Sequence, residues 1–412
     1  MPSTDVDAAA ALLIQLKDDN FGSDTTLGTL QKLKIYGRNF LVTNYIFKSS
    51  EETAIIQKYA KKNKSLQIRL EALRILANAL LLRPTLRNLF QDADAIAVDY
   101  LDCTVEEEFV ASRILFLATA ENLTISFSIV QYARAKIEQH AQNYTHRSST
   151  AVQETCKLLF NCLIRSSEGL LDQERLAGNV LTILSQLAST LESPASNLIS
   201  CLVKLSAVNT GPYIDKLLAI LENALQTEEF KKESVILPLL IVIYRTYNEA
   251  PESDVLQAVK QKILPTGEER KKPLGTAVSV SGGLLRLVTD PAFPTCRELA
   301  YQLFWDSSDQ DARKFIHNIG LGYAVGYLVN HGIAVPQDIV ENVKDETKYN
   351  PVTGQQIDEE THKLSDMTDE EKEREAERLF VLFERLNKNG FIKVENPIRT
   401  AVESGRFQEL KE

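Results

Sequence analysis

Four short phrases in the first 161 residues bring together side chains that can grip another protein. They read Lys34-Ile35-Tyr36-Gly37-Arg38, Arg74-Ile75-Leu76-Ala77-Asn78, Arg113-Ile114-Leu115-Phe116-Leu117 and Lys157-Leu158-Leu159-Phe160-Asn161, with first residues 40, 39 and 44 positions apart. On a helix, residues i and i+4 lie one above the other, so a copy can show its cation and its polar residue on one face. Lysine and arginine take carboxylates through charge-assisted hydrogen bonds, and an asparagine amide can bond a peptide backbone. Stacked copies would line Lys34, Arg38, Arg74, Asn78, Arg113, Lys157 and Asn161 along one groove. A single cation on an amphipathic helix is usually just solvated. Four in register carry the groove reading.

Other chemistry is missing from the pattern. Gly320-Leu321-Gly322 lacks the preceding strand of a dinucleotide loop, and no phosphate-loop Gly-Lys-Ser/Thr occurs. The histidines His140, His146, His317, His331 and His362 are scattered without metal-ligand spacing among the cysteines. No serine sits in a nucleophile elbow. The expectation is a binding protein with no cofactor, no catalytic residue and no metal.

The elements that must position the ladder follow from period and composition. Helical repeats of about 40–47 residues are the signature of HEAT and armadillo stacks. Helical patterning dominates from Asp5 to about Gly332, for example over 67–82, 109–120, 152–164, 195–206, 213–225 and 234–247. The stretch 276–281 reads as part of a helical repeat, and Gly320, Gly322 and Gly326 as breaks in the last repeats. The expected fold is all-α, an armadillo/HEAT-like right-handed superhelical solenoid over 1–334. An acidic extended linker at 335–367 and a C-terminal helical segment at 368–412 follow.

That last segment opens on Thr368-Asp369-Glu370-Glu371, a capping box that also resembles an acidophilic phosphorylation site at Thr368. Its apolar stripe Leu379, Leu382, Phe383 and Leu386 must dock on the repeats or on a partner.

Composition sets further bounds. The chain of 412 residues is 44% hydrophobic and carries a formal charge of −10. Fourteen acids against six bases lie between 338 and 378, so the remainder is nearly neutral and a nucleic-acid partner is not expected. No apolar run reaches the roughly 20 residues of a membrane span. The acidic N-terminus is no secretory signal, and five cysteines without paired spacing read as free thiols of a reducing compartment. A cytoplasmic monomer is expected.

The residues also carry a resemblance. The stretches 30–38, 112–119 and 157–161 resemble the synembryn family. So, in order, do Phe315-Ile316-His317-Asn318-Ile319-Gly320-Leu321-Gly322, Asn350-Pro351-Val352-Thr353-Gly354 and Met367-Thr368-Asp369-Glu370-Glu371-Lys372-Glu373 leading into Leu379-Phe380-Val381. The chain reads as a fungal-like member. These are cytosolic chaperones and non-receptor guanine nucleotide exchange factors of heterotrimeric G-protein α subunits. The resemblance implies an armadillo/HEAT superhelix whose concave groove receives the Gα C-terminal helix, with Lys34, Arg38, Asn78, Arg113 and Asn161 at the matching positions. It also implies recruitment to the cell cortex through Gα, and no nucleotide bound directly. A different class keeps an alternative open, an armadillo-type scaffold or transport adaptor that binds an extended peptide without exchange activity.

Overall fold

The computed structural model describes residues 2–18, 21–90, 92–121, 125–165, 172–205, 211–227, 232–249, 254–336, 350 and 353–356. The regular elements among these residues are α-helices and short 3-10 helices such as Pro84–Leu89, and none is a β-strand. The chain divides into two compact units, Met1–Tyr213 and Ile214–Glu412.

Unit 1 opens with α1 (Pro2–Lys17), α2 (Ser23–Tyr36), α3 (Phe40–Ile46), α4 (Ser50–Gln57), α5 (Leu66–Leu82) and α6 (Ala93–Asp99). It continues with α7 (Val105–Ala118), α8 (Phe127–Asn143), α9 (Ser149–Arg165), α10 (Gln173–Gln186) and α11 (Ala195–Lys204). Two rows result. In one, α2 packs on α5, α5 on α7, α7 on α9 and α9 on α11; in the other, α6 packs on α8 and α8 on α10. Members of the first row touch neighbours on several sides, so they need more than one apolar stripe. Helix α5 accordingly buries Ile68, Ala72, Leu73, Ile75, Leu76, Ala77, Ala79 and Leu80, and α7 buries Val110, Ala111, Ile114, Leu115, Leu117 and Ala118. Each buried leucine or isoleucine contributes about 1.5–3 kcal/mol from the water it leaves.

The roughly 40-residue period is written into the side-chain bonds as well. Tyr59 Oη donates to Leu16 O, Lys62 Nζ to Asp102 O, Arg69 to Glu107, and Ser112 Oγ shares a bond with Thr155 Oγ1. These partners are 38 to 43 positions apart. Bonded residues therefore occupy nearly equivalent places in successive repeats.

Helix starts are capped by short polar side chains, as the orphan amides require. Ser65 accepts from Ile68 N–H, and capping boxes form at Ser49–Glu52 and Thr104–Glu107. The box expected at Thr368, the stripe of Leu379, Leu382, Phe383 and Leu386, and nearly all of 335–367 lie outside the described residues.

Unit 2 holds α12 (Ile214–Gln226), α13 (Glu233–Glu249), α14 (Asp254–Ile263), α15 (Val280–Leu287), α16 (Pro294–Ser307), α17 (Ala312–Ile319) and α18 (Leu321–Asn330). Helix α12 packs on α13 and α15, α13 on α16, and α17 on α18. Two expectations change here. The residues before Ser279 are loop, because Ser279 accepts from Gly282 N–H and starts α15 there, while Arg286 donates to Gly275 O and Ala277 O and holds the loop. Gly322 and Gly326 lie inside α18, and only Gly320, at φ +81°, separates two helices.

Candidate partner-binding face

The ladder residues other than Arg38 lie on α2, α5, α7 and α9, which pack in that order. The structure brings their cations together in pairs, each pair around one acid. Glu71 on α5 stands 2.6 Å from Lys34 on α2 and 2.7 Å from Arg74 in its own helix. The Lys34 contact is an ion pair, since Glu71 Oε2 accepts no aligned hydrogen bond. Glu154 on α9 repeats the arrangement, with Oε1 accepting from Arg113 and from Lys157, each at 2.9 Å.

Glu71 and Glu154 escaped the sequence reading. Their signal was present as Glu-x-x-Arg at 71–74 and Glu-x-x-Lys at 154–157, the i,i+3 spacing that places unlike charges side by side. The first and third copies have Gln31 and Val110 at that place, so one acid serves two cations.

Each cluster holds two cations and one carboxylate, a formal residue of +1. The acids are nearly buried, at 8% and 2% side-chain exposure, while Arg74 and Arg113 remain 44% and 38% exposed. The outward parts are therefore cationic, held in place from behind. Each cluster can accept one more carboxylate. Aromatic faces add to this preorganisation, with Arg113 4.6 Å above the Phe109 ring and Lys157 6.0 Å from that of Phe116.

The remaining ladder residues behave differently from one another. Helix α2 ends at Tyr36, so Arg38 sits in the turn beyond it and shares no helix face with Lys34. Its guanidinium is exposed and pairs with no acid among the described residues. Asn78 is half-buried on α5 and its amide has no partner among the described residues. The Asn161 amide is already engaged, donating to Phe116 O at 3.1 Å and to Thr119 Oγ1 at 3.0 Å. That asparagine joins two repeats and has no free N–H to offer a ligand.

Behind the second cluster lies a polar network that the sequence did not reveal. Glu108 on α7 pairs with His140 on α8 at 2.7 Å and accepts from Thr155 on α9 at 3.0 Å. Lys136 is completely buried, with its ammonium 3.9 Å from Glu108. Ser112 bridges Tyr132 and Thr155. Ser112 and Thr155 directly neighbour Arg113 and Glu154, so the network sets the register between the helices that carry the cluster.

Between the clusters, Glu107 is clamped by Arg69 at 2.7 Å and closes the Thr104 capping box. Burial alone would raise its pKa. Hydrogen bonds from the Thr104 amide and from Arg69, with the charges of Arg69 and Lys62, outweigh that and hold the carboxyl below its ordinary 4.5. A carboxyl with a lowered folded pKa adds stability that is complete above 4.5 and lost as the pH falls through the folded value. The stability difference between wild type and Glu107→Gln, read from urea midpoints, is therefore expected to shrink steadily as the pH falls below about 5.

The thiols carry no chemistry of their own. Cys156, Cys162, Cys201 and Cys296 are buried and form no disulfide, and burial pushes Cys162 and Cys296 up to about 12. No cluster of ligands that could hold a metal occurs among the described residues, and no described helix is long and apolar enough to cross a membrane.

Comparison with known proteins agrees with the resemblance. Residues 29–406 match the family model described as guanine nucleotide exchange factor synembryn. A synembryn-like chaperone of Schizosaccharomyces pombe is 31% identical over 188 residues, covering 41% of this chain and 34% of that protein. The chaperone Ric-8A of Xenopus laevis is 22% identical over 327 residues, covering 76% of this chain and 57% of its own length. The chain thus spans about a third to three fifths of these relatives. With the family model matched over most of its length, this chain belongs to the guanine nucleotide exchange factor synembryn (Ric8) family.

Proposed function

We propose that this chain is a guanine nucleotide exchange factor and folding chaperone for G-protein α subunits, a regulator with no bond-making chemistry of its own. The observation that carries the reading is the pair of three-membered clusters, Lys34–Glu71–Arg74 and Arg113–Glu154–Lys157, each with one positive charge in excess. Together with Arg38 and Asn78, they suit the acid-bearing C-terminal helix of a Gα subunit. The two packed rows and the 40-residue bonding interval support an armadillo/HEAT-type arrangement of unit 1.

The mechanism is a competition for that helix. In a Gα subunit the last helix supports the loop that contacts guanine. Drawing the helix onto the cationic face removes this support, and GDP leaves. The same grip shields the helix in a newly made, nucleotide-free Gα. GTP binding then favours the compact Gα and ejects the chain, a reciprocal linkage between two ligands. The C-terminal segment with Leu379, Leu382, Phe383 and Leu386 provides a second contact, and the protein acts as a cytoplasmic monomer.

The scaffold alternative depends on a ladder of asparagine amides free to bond an extended peptide, and with Asn161 engaged only Asn78 could serve it. With purified GDP-loaded Gα, the full chain is expected to accelerate GDP release severalfold over the intrinsic rate. Binding to Gα with no change in nucleotide dissociation would leave only the scaffold reading.

A further inference from the structure

The stretch from Thr25 to Ser50 carries Lys32, Lys34, Arg38 and Lys48 and no acid. Within it stand Ile35, Phe40, Leu41 and Tyr45, four of the fourteen large apolar side chains that are exposed among the described residues. Three of the four belong to α3, whose two sides differ. Val42, Thr43, Ile46 and the following Phe47 are at most 5% exposed and turn inward, where α3 packs on α1 and α5. Phe40, Leu41 and Tyr45 are 54%, 59% and 52% exposed. Leu41 and Tyr45 lie one turn apart and so share the outer face. Exposed apolar side chains are ordinary when scattered, and mark an interaction surface when they cluster.

The helix is fixed at both ends, so this face is presented ready-made. Asn39 accepts from Leu41 N–H, and Thr43 Oγ1 donates to Gly37 O at 3.0 Å. At the far end Arg83, just past α5, donates to Asn44 O at 3.1 Å and to Phe47 O. Those bonds satisfy carbonyls of the helix end and bring a further cation beside it. Lys48 lies over the Tyr45 ring, 4.1 Å from its centre. The next acids along the chain are Glu51 and Glu52 of α4. Glu52 is already engaged, accepting from Ser49 N–H at 2.7 Å and from its hydroxyl at 2.6 Å. Arg38, Lys48 and Arg83 thus flank the apolar face, and none of them pairs with an acid among the described residues.

We propose that α3 and its flanks bind the surface of an anionic lipid bilayer, with Phe40, Leu41 and Tyr45 at the headgroup boundary and Lys48 and Arg83 against the headgroup charges. Aromatic and leucine side chains beside lysine and arginine suit that boundary, where one end of a side chain is apolar and the other wet. The charge selects the occupant. A second copy of this chain would set the same cations against one another. A protein partner needs acids at fixed places opposite them, whereas mobile anionic headgroups gather wherever the cations stand. Three apolar side chains on one short helix bury little area, so the binding is weak and reversible.

The test is co-sedimentation of the full chain with vesicles of phosphatidylcholine alone, and with vesicles that also contain about 30% phosphatidylserine. One variant is Phe40→Gln with Leu41→Gln, and the other is Lys48→Glu. All three side chains are exposed, so both variants should melt within a degree or two of wild type. Binding to the anionic vesicles only, weakened by salt, is expected. Each variant should weaken it about tenfold or more. The glutamine variant should keep its affinity for a Gα C-terminal peptide. No sedimentation with either vesicle, equal sedimentation with both, or wild-type binding by either variant would overturn the proposal. Loss of the peptide along with the vesicles in the glutamine variant would assign the face to a protein partner. A dimer that the same variant dissolves would assign it to a second copy. Either of these results overturns the proposal too.

Discussion

Glu108→Ala is expected to lower the stability of the folded chain by about 3–5 kcal/mol, the cost of leaving a buried ion without its partner. Lys136 is fully buried, and the Glu108 carboxylate stands 3.9 Å from its ammonium. The same substitution removes an acceptor from His140 and from Thr155. Domains are stable by only about 5–15 kcal/mol, so the loss is a large part of the total. Urea unfolding followed by circular dichroism measures it. The double variant Glu108→Leu with Lys136→Met removes both charges, and replacing a buried pair by apolar groups of similar size is often neutral. It should recover most of the loss. If the double variant is as unstable as Glu108→Ala, the burden lies in the His140 and Thr155 bonds and the ion-pair account fails.

Arg38→Glu is expected to have the largest effect on binding and almost none on folding. The Arg38 side chain is exposed, lies past the end of α2 and pairs with no acid among the described residues. Nothing among the described residues depends on its charge. Against an acid-bearing Gα C-terminal helix, the substitution removes a charge-assisted bond and adds repulsion, together about 2–4 kcal/mol or at least 30-fold in affinity. Calorimetric titration with the peptide reads the effect, and the melting temperature should stay within a degree or two. An unchanged affinity would retire Arg38 from the binding face. It would not touch the two clusters, whose cations are held by acids independently of it.

The contrast between Arg38 and its ladder companions shows how far the pattern of residues reaches. Helical content and period were legible because both are local. Apolar spacing marks α5, α7 and α9, and the interval from Lys34 to Arg74 to Arg113 to Lys157 counts out the stacking. Gly320 and Gly354 were visible in the motifs, but their meeting was not. The partners of the cations could not be read from the cations alone. Whether Lys34 faces solvent or Glu71 depends on how α2 meets α5, which spacing within either helix leaves open. The same holds for Glu108, which in sequence is one of three successive acids at the start of α7 and looks like ordinary helix-dipole compensation. Packing against α8 and α9 turned it inward to meet His140, Thr155 and Lys136. The sequence by itself determined that the chain is helical, that it repeats every forty residues or so, and which family it belongs to, since each rests on the order and spacing of residues. Only the tertiary structure decided which charges are spent inside the protein and which remain for a partner, because that depends on distances of a few ångströms between helices some forty residues apart.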